Sequence, residues 1–373
     1  MSRTTIILFF LMIILASSVF ASPDGNFKAT ILIDAESGEV LDAYNEHKAL
    51  PPASMVKMMT ELIVLELVKS GELKIDDQIT VSAKASRMGG SQVYLKHREV
   101  FPLIELLKAL AIQSANDAAV ALAEYTSGST IAFVELMNQR ARELGMNDTV
   151  FHSVHGLPPG SGQKSDLSSP YDMALLGKEL SKYPEALEWA VSNNIPFRDG
   201  KFILTNPNPL VGKFRGLEGI KTGYTSRAGF CLTAAATQKG LRLISCVMGA
   251  TTNKARGEET TRLLSRGFAM YTRVTLIALA GELMDIETKV SGGKITNTTL
   301  AYAEPLITGM RKDAVGEVEL IHDLPNKIKA PLAKGAIVGT ARAVLNGKIL
   351  GEVDLVTSEE IEEGNWWEKL IHK

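Results

Sequence analysis

The chain is 373 residues long, with 40 basic and 42 acidic side chains and a formal net charge of −2. That length suggests two domains with ample material for a core. The near-balance of charge, without a long single-sign run, argues against a nucleic-acid partner.

At the N-terminus Arg3 precedes an apolar stretch, Ile6 to Leu15, and Val19 and Ala21 are small residues where a signal peptidase reads. Residues 1–21 are therefore expected to be a signal peptide cut after Ala21, with a retained anchor as the alternative, because the apolar stretch is short for a bilayer span. The mature chain is expected to work outside the cytoplasm, in the periplasm.

Ala29 to Asp34 and Val40 to Tyr44 flank a turn and read as a β-hairpin. A helix is expected from Ser54 to about Val68, closed by the glycine signal of Lys69-Ser70-Gly71. Polar text from Lys74 to Arg98 gives way to helices over Leu103 to Ile112, Asp117 to Tyr125 and Ile131 to Leu144. Residues 148–170 form a long Gly-, Pro- and Ser-rich loop, of a length usually tied to function. A helix around Asp172 to Leu180 and a looser Pro- and Asn-containing stretch follow. Then come three strands, Leu217 to Tyr224, Gly229 to Ala236 and Leu241 to Gly249, and a helix near Arg256 to Tyr271. The early hairpin and late meander suggest one five-stranded antiparallel sheet built from both ends of the sequence, with helices on both faces.

Beyond about Ala280 short alternating runs indicate a small all-β domain, in which Asn346-Gly347 is the strongest hairpin signal. The chain thus reads as α+β, with domains over 22–275 and 276–357 and a short tail over 358–373. Cys231 and Cys246 are too few for a disulfide-stapled scaffold. They lie on neighbouring strands whose register the sequence does not fix, and two buried thiols are preferred over a disulfide.

Three short motifs carry chemistry. Ser54-Met55-Val56-Lys57 places a hydroxyl and an amine on one helical face, and serine needs a nearby base to act as a nucleophile. Ser114-Ala115-Asn116 sits at a break between two helices, and Lys221-Thr222-Gly223 lies on the first strand of the meander. Each has a decoy. Ser161/Lys164 and Ser291/Lys294 repeat the first spacing in loop text, Ser192-Asn193-Asn194 the second, and Lys69-Ser70-Gly71 the third. The bland alternatives are an N-cap serine with a surface lysine, a pair of turn formers and a solvated strand lysine. All three motifs, in this order and in these contexts, outweigh them.

Together they resemble the penicillin-recognising serine enzymes, and most closely the D-alanyl-D-alanine carboxypeptidases of the penicillin-binding protein 5 type. Supporting stretches are Gln113 to Ala118, His155-Gly156-Leu157, Gly219 to Tyr224, Arg242 to Gly249, and Lys329-Ala330-Pro331-Leu332 with Val338-Gly339-Thr340. The resemblance covers nearly the whole mature chain and implies a β-lactamase/transpeptidase-like domain followed by a β-sandwich. It implies Ser54 as nucleophile, Lys57 as its base, and Ser114 and Asn116 as proton relay and substrate clamp. Lys221 and Thr222 would face the terminal carboxylate, with Arg256 as a weaker helper. Gly223 would let the substrate backbone lie against the strand edge, and the N–H groups of Ser54 and Tyr224 would form an oxyanion hole. His155 would line the site. No cofactor or metal is expected, and His152 with His155 lacks an evident third ligand.

The substrates implied are peptidoglycan stem peptides ending in D-Ala-D-Ala, with β-lactams as inhibitors. Tyr224 departs from the histidine common in relatives. The ending through Trp366 and Trp367 to Lys373 offers at most a short interfacial turn, so membrane contact is expected to be weak. A class A β-lactamase would need a loop glutamate. Glu143 matches its pattern only on a helix, and a non-catalytic binding protein or an endopeptidase on cross-linked peptides are the other readings.

Overall fold

A computed structural model describes residues 25–371, so the leader expected at 1–21 and the last two residues lie outside the described part. In chain order, β1 (Ala29–Asp34) and β2 (Val40–Tyr44) form a hairpin. A 3₁₀ turn, Ala53–Val56, leads into α1 (Lys57–Ser70), which Gly71 closes in the left-handed conformation. A small hairpin, β3 (Gln78–Thr80) with β4 (Val100–Pro102), precedes α2 (Leu103–Ala111), α3 (Asn116–Ser127) and α4 (Thr130–Glu143). After the long loop come α5 (Pro170–Leu180), α6 (Pro184–Val191) and a second small hairpin of β5 (Ile195–Phe197) and β6 (Phe202–Leu204). The meander β7 (Leu217–Thr225), β8 (Gly229–Gln238) and β9 (Leu241–Ala250) follows, then α7 (Asn253–Met270).

The main sheet has the order β2-β1-β9-β8-β7, antiparallel throughout, which is the five-stranded sheet expected from both chain ends. Its central strands β1 and β9 are buried almost throughout because both faces of the sheet are covered. Along β1, Ile31 and Ile33 enter the core shared with α1, α2 and α3, whereas Leu32 packs with Leu263 and Leu264 of α7. Helix α1 lies within the larger core, and every residue from Lys57 to Leu65 is buried. A helix apolar all round belongs inside a protein, and here it carries two ionisable side chains, Lys57 and Glu61, into the interior.

In this first part of the chain, the elements not foreseen are α6 and the two small hairpins. Three-residue strands show too little alternation to stand out, and α6 is a short helix started by Pro184 in text dominated by turn formers.

The chain passes from α7 straight into a second, all-β unit with its own core. Its strands are β10 (Tyr271–Ile277), β11 (Leu283–Ser291), β12 (Asn297–Tyr302), β13 (Leu306–Arg311), β14 (Glu319–Asp323), β15 (Ile328–Lys329), β16 (Ile337–Leu345) and β17 (Lys348–Thr357). A six-stranded sheet, β14-β16-β17-β12-β11-β15, lies beside the β10-β13 pair. Asn346 and Gly347 both adopt positive φ, as a two-residue hairpin turn between β16 and β17 requires. The chain closes with α8 (Trp366–Ile371). Among the described residues no helix is long and apolar enough to cross a membrane.

The two units meet at Asp34. Its carboxylate holds the first hairpin turn through Ser37 N at 2.7 Å and Ser37 Oγ at 2.8 Å, and it abuts Gly309 of β13. Ion pairs Glu39–Lys348 and Glu36–Arg273 flank this contact. A Cβ at position 309 would collide with the Asp34 carboxylate and sit 3.0 Å from Leu241 Cδ1. Gly309→Val is therefore expected to lower stability by about 1–3 kcal/mol, measured by thermal melting, through overpacking of the junction.

Candidate active site

Ser54 falls in the 3₁₀ turn and Lys57 is the first residue of α1, so the helix begins later than the sequence indicates. In a 3₁₀ turn side chains at i and i+3 eclipse, which brings the amine over the hydroxyl. Lys57 Nζ lies 3.0 Å from Ser54 Oγ and donates to the carbonyl of His155 at 2.7 Å. Neither the turn nor α1 has a side-chain cap, so Ser54 is not acting as an N-cap. Burial, then the charge of Lys221, hold the Lys57 amine well below the ordinary lysine range, against the opposing pull of Asp117 and Asp166.

The second motif lies at the other side of the serine. Ser114 has φ of +62°, a strained conformation for a residue with a Cβ. Its turn is tied to the loop before it: Asn116 N donates to Ser91 O at 2.7 Å, and Asn116 Nδ2 donates to Gly89 O at 2.7 Å. Ser114 Oγ and Asn116 Oδ1 are buried without hydrogen-bond partners among the described residues. Such orphans in a cleft suit groups that wait for a ligand.

On β7, Lys221 is only 2% exposed, and burial pulls its amine down to about 8 while Glu61 opposes the shift and Arg256 adds to it. Arg256 is no solvated helix-end arginine. It is buried, donates to Cys231 O at 3.1 Å and Asn253 Oδ1 at 2.6 Å, and lies 5.8 Å from the centre of the Phe230 ring. Ser54, Ser114, Thr222, Gly223, Tyr224 and Arg256 line one cavity of about 310 Å³. Tyr224 is exposed, with its ring 4.2 Å from that of Phe230.

The geometry adds to two expectations. His155, like Lys57, Asn116 and Lys221, stands behind the cavity lining: its Nδ1 accepts from Leu157 N at 3.1 Å, and burial holds it down at about 4, hence neutral. His155 instead serves Lys57 with its backbone carbonyl. Gly223 lines the cavity and is also required for packing. A Cβ there would stand 2.6 Å from Pro52 O and 3.2 Å from Ser54 N, so the missing side chain lets the serine turn dock on the strand. Gly156, at φ +77°, is demanded in the same way by Ala53 O.

Sequence reasoning did not single out two buried acids that shape these loops. Asp117 accepts from Val93 N at 3.1 Å and Leu95 N at 3.0 Å. Asp166 accepts from His152 N at 2.6 Å, Ser153 N at 2.9 Å and Ser153 Oγ at 2.7 Å, fixing the loop that presents the His155 carbonyl. Their signal was an acid next to Asn116 and an acid inside a Ser-rich loop, neither distinctive alone. Cys231 and Cys246 are free, buried thiols, and burial pushes both up. Glu143 faces solvent on α4 beside Arg140, as its helical position indicates.

The sheet flanked by helices, with a separate β domain behind it, is the fold of penicillin-binding protein 5. The structure of penicillin-binding protein 5 from Haemophilus influenzae superposes with a TM-score of 0.80 at 32% identity, covering 92% of this chain and 100% of that one. The family model of D-alanyl-D-alanine carboxypeptidases matches residues 18–252, and that of the penicillin-binding protein 5 C-terminal domain matches 275–363. The chain belongs to the D-alanyl-D-alanine carboxypeptidase family. D-alanyl-D-alanine carboxypeptidase DacF of Bacillus subtilis (strain 168) is 34% identical over 97% of this chain and 95% of the relative. Penicillin-binding protein D2 of Listeria monocytogenes, in an ampicillin-bound form, aligns with a TM-score of 0.60 at 34% identity, over 65% of this chain and 97% of that one.

Because the serine turn rests directly on Gly223, Gly223→Ala is expected to displace Ser54 and slow its acylation by fluorescent penicillin about a hundredfold, read by labelling kinetics, while the protein stays folded by circular dichroism.

Proposed function

We propose that this protein removes the terminal D-alanine from peptidoglycan stem peptides ending in D-Ala-D-Ala, through an ester on Ser54. The observation that carries this reading is the buried Lys57 amine, 3.0 Å from Ser54 Oγ and depressed by burial, because a serine acylates at neutral pH only with a base in reach.

In this reading neutral Lys57 takes the Ser54 proton as Oγ attacks the carbonyl carbon of the penultimate D-Ala. The His155 carbonyl orients the amine by accepting one of its N–H groups. The backbone N–H groups of Ser54 and Tyr224 receive the developing oxyanion, worth roughly 3–4 kcal/mol per donor. Lys57 then gives the proton it took from Ser54 to Ser114, which passes its own to the leaving nitrogen as the C–N bond breaks, so D-alanine departs as the amine and Lys57 is neutral again. Asn116 holds the peptide through its side-chain amide. Lys221 and Thr222, with Arg256 behind them, take the terminal carboxylate. Water, deprotonated by Lys57, then hydrolyses the ester and restores Ser54.

A β-lactam presents the same carboxylate and acyl carbon, in keeping with the ampicillin-bound Listeria relative. Deacylation of that adduct is slow in this reading. A β-lactamase frees a loop carboxylate to activate water, whereas Asp166 already accepts two backbone N–H groups and a hydroxyl. The reaction takes place outside the cytoplasm, after removal of residues 1–21. Trp366 and Trp367, exposed and stacked at 4.0 Å, offer a light contact with a membrane surface.

Ser54→Ala is expected to abolish D-alanine release from a pentapeptide and labelling by penicillin, by at least about a thousandfold, with an unchanged fold. Retained release, followed by mass spectrometry on pentapeptide and cross-linked dimer, sinks the mechanism. Since the charge of Lys221 helps hold Lys57 neutral, Lys221→Met raises the Lys57 pKa. The acid limb of the acylation rate is then expected to move to higher pH, read from penicillin labelling across a pH series. N-terminal sequencing of the exported protein is expected to begin at Ser22.

A further inference from the structure

Glu61 lies one helical turn beyond Lys57 on α1, and none of the steps above uses it. It is 2% exposed, and its Oε1 is buried without a hydrogen-bond partner among the described residues. An ionisable group in such surroundings is costly unless an opposite charge faces it.

The strand register shows which charge lies on the same side of the sheet. Lys221 of β7 stands opposite Thr233 of β8, and the Thr233 hydroxyl contacts Met55 Sδ at 3.4 Å. Residues directly opposite in a sheet point to the same face, so the Lys221 side chain enters the layer between the sheet and α1. Its one hydrogen bond among the described residues is a long one, 3.4 Å to the carbonyl of Thr222. Glu61, four residues on from Lys57, lies on the helix face that Lys57 turns toward Ser54, so two buried groups of opposite potential charge share that layer, without a hydrogen bond or ion pair between them among the described residues. The remaining charges around them are Lys57 on α1, Glu185 on α6 and Arg256 on α7, with Asp117 and Asp166 facing Lys57.

We propose that Glu61 is a positioning residue that acts electrostatically on Lys221 across this buried layer and so keeps Lys221 cationic for the anionic end of the substrate. This rests on the carboxylate-binding role of Lys221 proposed above.

Burial pushes Glu61 up to about 8, with Lys221 opposing and Glu185 adding to the shift. Burial likewise brings Lys221 down to about 8, so the two titrate as a coupled pair. As pH rises through this range, the carboxyl can release the first proton. The resulting carboxylate stabilises the ammonium, and Lys221 stays charged to higher pH. Without the carboxyl, Lys221 loses its own proton first. A stability effect of opposite sign accompanies this. Folded Glu61 retains a proton between its ordinary 4.5 and about 8 that the unfolded chain has already released. Its presence therefore costs stability as pH rises through that window.

Glu61→Gln and Glu61→Met test the idea, with kcat/KM for a D-Ala-D-Ala peptide followed across pH and melting measured at pH 8. The expected result is an alkaline limb about one pH unit lower, so that activity above the limb falls about tenfold through KM, with little change near pH 6. Both variants are also expected to melt higher than the wild type. An unshifted alkaline limb, or a pH-independent loss with a lower melting temperature, overturns the proposal and makes Glu61 merely structural. Failure of both variants to fold overturns it too, since stabilisation is required. Lys221→Ala at pH 7 tests the underlying role separately. An unchanged KM there refutes carboxylate binding by Lys221. A raised KM there, with an unshifted limb in Glu61→Gln, refutes only the part given to Glu61.

Discussion

Burial of the Lys57 amine is the constraint around which this protein is organised. An ammonium group with no access to water loses its solvation, and the neutral amine becomes the favoured form. Burial requires an apolar helix, and α1 meets that need by being enclosed on every side from Lys57 to Leu65. The amine still needs one acceptor, and the His155 carbonyl provides it at 2.7 Å. That carbonyl is held in turn by Asp166, so a loop distant in sequence depends on one acid for its shape. Lys221, itself buried, adds a second positive charge that pushes Lys57 the same way.

Close approach is the second requirement, and it falls on backbone rather than side chains. The serine turn is pressed between β7 and the loop at Gly156, and either glycine with a Cβ would force the turn away. This is why a motif of three residues on a strand and a motif of four at a helix start behave as one device. The strained Ser114 turn and its tie to Gly89 and Ser91 bring the third side of the cleft to the same point. Two chain ends must meet to build the platform, since β1 lies between β2 and β9. The all-β unit then packs against the hairpin turn at Asp34, away from the cavity.

Much of the fold was legible because its signals were local. The hairpin of β1 and β2, the Gly71 end of α1 and the Asn346-Gly347 turn each rest on a few residues with one sensible backbone solution. The decoys were separated by context: Ser161 and Lys164 lie exposed in a loop, and Lys294 is an exposed partner of Glu362. The small hairpins and α6 escaped because their segments are too short to show a period. The role of the His155 carbonyl escaped because a backbone atom has no sequence signature.

By itself, then, the sequence determined the order of the elements, the α+β class and which three motifs belong together. Those follow from periodicity, turn chemistry and spacing, all of which act over a few residues. Tertiary structure decided the rest: the depth at which Lys57, Lys221 and Glu61 are buried, the carbonyl that Lys57 meets, and the reason Gly223 is glycine. Burial and electrostatic coupling depend on what distant segments bring alongside a side chain, and no local pattern records that. The serine and lysine could be paired from their spacing. Only the folded chain could show that burial and Lys221 hold that lysine's amine well below its ordinary range.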